Sequence, residues 1–437
     1  MARKKTHVRL HVFLNGRLVG RLTKEPSGAI DFRYDPSWLG WEHTFAVSMS
    51  LPLREDRYTG ARVVAVFENL LPDDEDVRRK VAAQSNAEGV DAYSLLAAIG
   101  RDCVGALQFL PEGADSGPAG RVAGEPVDDE QVAQIIADLG AAPLGIRKGR
   151  EFRISIAGAQ QKTALLFWQH GWHIPSGGAP TTHILKPQIG VRSDGIDLSR
   201  SVENEHLCMR LAQTLGLTVA KTEIRDFADE RVLVVERFDR TWTQDGRLLR
   251  VPQEDCCQAL SVPPALKYQA DGGPGMRDLL DLFKASDTPE KDLAAVLRAQ
   301  IIFWLLGATD GHAKNFSIFL RPGGGFELTP LYDVMSAQPL LDAKQLRRNE
   351  MKLAMSVGDN RHYIVDTIQP RHFVQAAKSA RLPAQTVRGI FADLLNRAPG
   401  AIARAGEELP SGFPDSVWTS VVGGLEERLR VLEAADS

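Results

Sequence analysis

The 437-residue sequence predicts an α+β fold of two lobes, one mixed and one mostly helical, behind an N-terminal β-rich subdomain. Three observations carry the prediction. The chain opens on VRLHVFL-NG-RLVGRL, an alternating pattern with Asn15-Gly16 at its centre, which is the pattern of a hairpin with a two-residue turn. Its middle third is rich in short apolar runs of strand length. From about residue 256 onward helical spacing takes over, most clearly in LAAVLRAQIIFWLLGA.

Residues 1 to about 110 hold the hairpin and then helical stretches, including FENLLPDDEDVRRKVAAQ and DAYSLLAAIG. Residues 111–127, PEGADSGPAGRVAGEPV, are rich in Gly, Pro and Ala and read as a linker or exposed loop. Residues 128–255 read as a mixed lobe and 256–437 as a mostly helical one, with no internal repeat and no heptad run.

Within the mixed lobe, RISIAGAQQKTALLFW reads as strand, tight turn and strand, with Ser155, Gly158 and Lys162 near the turn. Backbone N–H groups of such a Gly-containing turn can lie over phosphates. TTHILKP is a strand that ends in Lys186, a point charge suited to those phosphates. SVENEHLCMRLAQTLGL is a helix with Val202, Leu207, Leu211 and Leu215 on its apolar side, and Glu205 is placed to pair with Lys186. RVLVVERFDR is a nearly unbroken apolar strand ending in Glu236, Arg237 and Phe238, a hinge whose backbone can face an adenine. A P-loop of the G-x-x-x-x-G-K-[ST] form is absent. Each residue also has a plainer reading: a turn glycine, a strand serine bonded to backbone, a glutamate on a solvated helix face.

The helical run before Asp310 has Thr288 where a cap belongs, Pro289 in the first turn and Gly307 at its end. Leu293, Leu297, Ile301 and Leu305 recur at four-residue spacing and mark a buried face. TDGHAKNFS follows, then FSIFL and FELTPL joined by Arg-Pro-Gly-Gly-Gly, and then Asp333 in PLYDVMS. Asp310, Asn315 and Asp333 form the D-x4-N…D set that phosphoryl transfer from Mg-ATP requires. One Asp accepts the proton of the attacking hydroxyl, and the Asn and second Asp offer hard oxygens to Mg²⁺. The plainer alternative is an Asp/Asn-rich turn and an unrelated surface Asp.

Taken in order, SIAGAQQKTALL, THILKP, VERFDR, VPQED, KYQADGGPG, GATDGHAKNFS and LTPLYDVMSA resemble the HipA family of serine/threonine protein kinases, the toxins of bacterial HipBA toxin-antitoxin modules. The resemblance covers nearly the whole chain and is densest from Phe152 to Met355. It implies a protein-kinase-like two-lobed fold and the activity of a non-specific serine/threonine protein kinase. It implies Asp310 as base, and Asn315 and Asp333 as Mg²⁺ ligands. It implies an ATP site at Ser155, Ala157, Gly158, Ala159, Gln160, Lys162, Lys186, Glu236, Arg237, Phe238, His312 and Lys314. Glu205 becomes the ion-pair partner of Lys186, and Ser155 a self-phosphorylated serine whose modification expels the loop. The implied partners are a HipB-like helix-turn-helix antitoxin, which carries most of the operator DNA contact, and a translation-related substrate such as an aminoacyl-tRNA synthetase. Growth arrest or persistence is the implied outcome. The sequence departs from common protein kinases in having no H-R-D, no D-F-G and no A-P-E, as the family does. A catalytically weak pseudokinase acting as co-repressor is the alternative, and retention of Lys186, Asp310, Asn315 and Asp333 together favours the enzyme.

Composition agrees with a globular protein: 43% hydrophobic, 25% charged, net charge −4. A negative total charge offers no broad basic field for nucleic acid. No apolar run of membrane-spanning length occurs, nor a secretory leader after MARKK, so the expectation is a cytoplasmic protein with no membrane partner. Cys103, Cys208, Cys256 and Cys257 read as reduced thiols. Trp168, Trp172 and Trp304 read as packing residues and His312 as a loop-positioning residue. Arg371, Lys378 and Arg381, and likewise Lys344, Arg347 and Arg348, read as solvated cations, with DNA or an acidic substrate as the competing reading.

Overall fold

Asn15 and Gly16 both take positive φ (44° and 81°), which matches the twist of a tight hairpin, in a computed structural model that describes residues 8–149 and 151–436. The MARKK start and Ser437 lie outside the described residues. The hairpin joins Leu10–Leu14 to Arg17–Lys24 within an antiparallel sheet. Its spatial order is Tyr58–Thr59, Ile30–Tyr34, Arg17–Lys24, Leu10–Leu14, Leu107–Pro111. Leu10, Val12 and Leu14 alternate inward beneath the helices Ala61–Glu68 and Ala92–Ile99, whose Phe67, Leu95 and Leu96 are buried.

The stretch FENLLPDDEDVRRKVAAQ is two helices rather than one. Ala61–Glu68 ends, residues 69–74 form a loop, and Glu75–Ser85 begins. Pro72 has no N–H to continue a helix, and Asp74 starts the next one by accepting a hydrogen bond from the Val77 N–H.

The mixed lobe is built on a six-stranded antiparallel sheet. Its order is Thr222–Phe227, Glu230–Glu236, His183–Pro187, Thr163–Trp168, Gly171–Pro175, Gly124–Val127. The last strand falls in the segment read above as a linker. Residues 124–127 pair with Gly171–Pro175 at the sheet edge, where Pro126 is tolerated. The segment before Thr163 also differs from expectation. Residues 153–158 are extended but join no ladder; they bridge singly to Cys103 and Pro72 of the N-terminal subdomain. Their backbone partners lie in another part of the chain, so the Gly158 loop is not a hairpin turn.

The helical lobe surrounds Pro289–Leu306 with the helices Pro370–Ser379, Ala384–Glu407 and Asp415–Asp436. Leu293, Leu297, Ile301 and Leu305 are buried, and so are Ile302, Phe303, Trp304 and Leu306, so burial is not confined to one face. Pro289 occupies the first turn and Gly307 closes the helix at φ 63°. Thr288 stands at the N-cap position without capping: its ψ of 63° is not extended, and its side chain makes no bond to the helix. A three-stranded sheet, Gln253–Asp255, Ser317–Leu320, Phe326–Leu328, carries the hairpin after TDGHAKNFS. Gln253–Asp255 thus pairs inside the helical lobe. All four cysteines are buried free thiols. Among the described residues no helix is long and apolar enough to cross a membrane.

Buried charge joins the N-terminal subdomain to the hinge. Asp102 accepts from Arg240 (2.8 Å), Arg250 (2.9 Å), the Thr181 hydroxyl (2.8 Å) and the Thr181 N–H (3.0 Å). Arg237 bonds Asp239 (2.7 Å) and the Cys103 carbonyl (2.9 Å). Three guanidinium groups face two carboxylates in a region with almost no solvent exposure. Burial raises the Asp102 pKa, but Arg240, Arg250 and Arg237 outweigh it and hold the carboxyl well below the usual range.

Asp102→Asn is therefore expected to destabilise the protein by about 3–5 kcal/mol, the cost of breaking a buried pair, read as a lower denaturant midpoint at unchanged slope. Because the folded-state pKa is depressed, this stabilisation is complete above the ordinary aspartate value of about 3.9 and is lost as pH falls below it. A variant that unfolds at the parental midpoint at neutral pH rules the network out as a tie.

Candidate active site

Lys186 stands near the end of the strand His183–Pro187, two strands from the sheet edge formed by Thr222–Phe227. Its ammonium donates to Glu205 Oε1 at 2.7 Å and to Asp333 Oδ1 at 2.8 Å. Glu205 sits in the second turn of the buried helix Ser201–Thr214, so its carboxylate has little water to turn to. Burial disfavours the charged lysine, but Asp333 and then Glu205 overcome it and keep Lys186 protonated far above neutrality. The same contact works on Asp333: partial desolvation in the cleft, where its side chain stays 43% exposed, pushes its carboxyl up, while Lys186 and then Lys162 pull it well below the usual range.

Asp333 is delivered by a strained backbone, with φ at 61° in a region that non-glycine residues seldom occupy. The hairpin holds that geometry. Tyr332 donates to the Lys314 carbonyl at 2.7 Å and its hydroxyl pairs with Ser317 Oγ at 2.6 Å. Asn315 closes the short turn Ala313–Asn315; its Oδ1 accepts from the His312 N–H and its Nδ2 donates to the Asp333 carbonyl, both at 3.3 Å. Asp310 is open to solvent, its side chain 61% exposed, and accepts from the Tyr268 hydroxyl at 2.6 Å. His312 Nε2 lies 4.0 Å from Asp310, and the ring meets Tyr268 edge-on at 5.0 Å. Burial lowers the His312 pKa, so its imidazole is neutral; Nδ1 has no hydrogen-bond partner among the described residues.

The loop residues fall on both sides of this cleft. Lys162 is buried beneath Gly158 and donates to the Ala157 carbonyl at 2.8 Å. At Gly158 φ is 105°, a region that favours glycine, and a Cβ there would also displace the Lys162 ammonium, 2.4 Å away. Burial and then the charge of Lys186 push the Lys162 pKa down to about 8. Gln160 ties the loop to the end of the Lys186 strand, donating to the Pro187 carbonyl at 3.2 Å. Ala157 is half-buried and Ala159 exposed on the same loop. Ser155 is not at the mouth of a turn. It is fully buried, with Oγ donating to the Leu70 carbonyl at 2.6 Å, because the segment before Gly158 docks on the N-terminal subdomain.

The hinge residues separate. The Glu236 N–H bonds the Lys221 carbonyl and the Arg237 N–H bonds the Thr182 carbonyl, both at 2.9 Å, so neither N–H is free toward an adenine. The Arg237 guanidinium belongs to the buried Asp102 network and not to the cleft. The Phe238 ring lies 5.8 Å from those of Phe319 and Tyr332. Lys314 bonds Asp73 Oδ1 at 2.7 Å, and Lys267 bonds Asp73 Oδ2 at 2.9 Å. Asp73, Lys267 and Tyr268 were not legible as site residues. Asp73 is 241 positions from Lys314, and no local spacing marks it.

Among the peripheral cations, Arg347 pairs with Glu350 and Arg348 with Asp366, so that cluster is partly neutralised. Arg371, Lys378 and Arg381 are exposed.

No group of three His, Cys, Asp or Glu side chains spaced to enclose a metal ion occurs among the described residues. The Asn315 amide and the Asp333 carboxylate instead offer hard oxygens, the donor set of a Mg²⁺ that keeps waters and phosphate oxygens as its other ligands. The residues present fit such an ion.

Two family models match the chain: the HipA N-terminal domain over residues 10–110 and the HipA-like C-terminal domain over residues 154–402. A Sinorhizobium fredii protein, "Putative kinase Y4mE", is 36% identical over 413 residues, covering 93% of this chain and 94% of its own. The "Serine/threonine-protein kinase toxin HipA" of Shewanella oneidensis is 29% identical over 415 residues, covering 92% and 90%. A solved complex of Shewanella oneidensis HipA with HipB and its operator DNA superposes with a TM-score of 0.80 at 26% identity, covering 98% of this chain and 99% of that one.

Proposed function

The chain belongs to the HipA family, whose relatives are named as kinases, and from that premise we propose that it is an ATP- and Mg²⁺-dependent serine/threonine protein kinase acting as a toxin. The observation that carries the reading is the convergence of Lys186, Glu205, Asp333 and Asn315 on one cleft that also exposes Asp310. In this reading Asp310 accepts the proton of the acceptor hydroxyl, and the Tyr268 hydroxyl keeps its carboxylate oriented. Lys186 binds nucleotide phosphate, and Lys162 and the Gly158 loop close over it. Asn315 and Asp333 would hold Mg²⁺, which neutralises charge on the phosphate oxygens when bound. Phe238 offers an apolar surface to the base. The acceptor proposed is a translation-related protein such as an aminoacyl-tRNA synthetase, with growth arrest as outcome.

Asp310→Asn is expected to lower γ-phosphate transfer by on the order of 10²–10⁴-fold with the fold intact. Asp333→Asn is expected to abolish Mg²⁺-dependent turnover. Phosphoproteomics after induced expression should find sites with the parent that the Asp310→Asn chain does not produce. Parental transfer rates by either folded variant refute the assignment.

The proposed self-inhibition runs through Ser155. Its hydroxyl is buried against Leu70, so phosphorylation requires the segment to leave the N-terminal subdomain. A group of about −1.5 to −2 charge then has no room to return. The modified chain should bind ATP poorly and regain binding after phosphatase treatment. Mass spectrometry that finds Ser155 unmodified after incubation with Mg-ATP, or a phosphorylated form with undiminished ATP affinity, removes this mechanism.

The proposed partner is a dimeric HipB-like helix-turn-helix protein that carries most of the operator contact, since the chain itself has net charge −4. Operator binding should require the partner at physiological salt. Tight operator binding by this chain alone contradicts that division.

A further inference from the structure

One loop of the N-terminal subdomain, residues 69–74, touches both halves of the site. On the phosphate side, the Leu70 carbonyl accepts Ser155 Oγ at 2.6 Å, and the Asp73 N–H donates to the Gly158 carbonyl at 3.2 Å. On the catalytic side, the two oxygens of Asp73 divide between two lysines: Lys314 at 2.7 Å and Lys267 at 2.9 Å. Each lysine adjoins a functional side chain. Lys314 precedes Asn315. Lys267 precedes Tyr268, whose hydroxyl holds Asp310 at 2.6 Å.

The loop is rigidly mounted. Asn69 Nδ2 donates to the carbonyls of Ala65 (2.8 Å) and Val262 (2.9 Å), and Arg78 Nε donates to the Pro72 carbonyl (2.6 Å). The Asp73, Lys267 and Lys314 side chains are 11%, 14% and 6% exposed, so water does little to relax the arrangement. Burial opposes ionisation of Asp73, but Lys314 and then Lys267 prevail and bring its pKa down to about 2.

We propose that Asp73 is a positioning residue for phosphoryl transfer: by fixing Lys314 and Lys267 it sets Asn315 and the Tyr268–Asp310 pair in reactive geometry, which makes the N-terminal subdomain part of the active site. The inference rests on the kinase reading above. A role confined to gluing subdomains together would lower the folded fraction and leave the turnover of folded molecules alone. Misplacing a reacting group by about 1 Å costs on the order of 10²-fold in rate, and removing an interaction made only in the transition state lowers kcat without raising KM.

The test uses the full chain with Mg-ATP, measuring γ-phosphate transfer and, separately, ATP binding by calorimetry. Asp73→Asn keeps the shape and removes the charge. It should lower kcat by about 10–100-fold while the ATP dissociation constant changes by less than about threefold. Asp73→Glu should recover most of the rate. Lys80→Ala breaks a different bond of the same subdomain, to the Gly140 carbonyl at 2.8 Å, and should turn over at the parental rate. If Asp73→Asn does not fold, Lys267→Met severs the Tyr268 arm alone and should still lower kcat at unchanged ATP affinity. Parental kcat in Asp73→Asn, or a loss matched by Lys80→Ala and not rescued by Asp73→Glu, overturns the inference while leaving the kinase reading standing. Absence of turnover by the parental chain overturns both.

Discussion

One ammonium group, that of Lys186, holds three parts of this molecule in register. It comes from the six-stranded sheet, pairs with Glu205 of the helix Ser201–Thr214, and pairs again with Asp333 at the end of the C-terminal hairpin. A lysine so placed has lost most of its hydration and must be compensated. Two carboxylates share it, of which Asp333 is the more exposed, at 43% against 5%, and the buried Lys162 brings a second positive charge near them. Such buried pairs add little net stability against apolar packing, but breaking one partner is costly. The arrangement is understandable as a specification of geometry. It fixes where the lobes meet and leaves a carboxylate oxygen oriented for a cation.

The same economy appears in the backbone. Asp333 occupies a conformation that costs on the order of 1–3 kcal/mol for a non-glycine residue. The surroundings that maintain it are the Tyr332 hydroxyl on the Lys314 carbonyl and the Asn315 amide on the Asp333 carbonyl. These bonds run between the two acidic loops, so the strain in one is supported by the other. Asp310, by contrast, is nearly free: one tyrosine hydroxyl and open solvent.

Features with short-range causes were legible in the sequence. The Asn15-Gly16 turn, Gly307 at a helix end, the spacing that brings Glu205 beneath Lys186, and the D-x4-N…D set each follow from local stereochemistry or from neighbours less than thirty residues apart. What escaped has its partner elsewhere. The apolar run from Ile154 was read as a ladder strand because its own pattern is strand-like, but its hydrogen-bond partners are Asp102 and Leu70. Arg237 was read as part of a hinge whose backbone faces the nucleotide, and nothing in that reading placed its side chain. Its guanidinium turns inward because Asp239, two residues on, and Thr181 offer it bonds that water cannot better in a buried site. The break at Pro72 was visible in the letters, but its use, carrying Asp73 to lysines some two hundred residues away, depends on the assembled fold.

Those long-range ties decide how the N-terminal subdomain relates to the rest. A separable domain would meet its neighbour through a modest polar interface and could move against it. Here the contacts are of another kind. Asp102 is enclosed by Arg237, Arg240 and Arg250, Asn69 bonds the Val262 carbonyl, the Glu254 side chain accepts the Met49 N–H at 2.7 Å, and Asp73 bonds Lys314. Each buries a charge or a backbone group whose partner lies across the boundary, so parting the surfaces would strand it. Rigid-body motion of the whole subdomain is therefore expensive. The segment from Ser155 to Gly158 is different, since its ties to residues 70–73 are a few single bonds outside any ladder. Parting this segment from the N-terminal subdomain breaks only such single bonds, whereas parting the lobe behind it also breaks the buried charge network around Asp102.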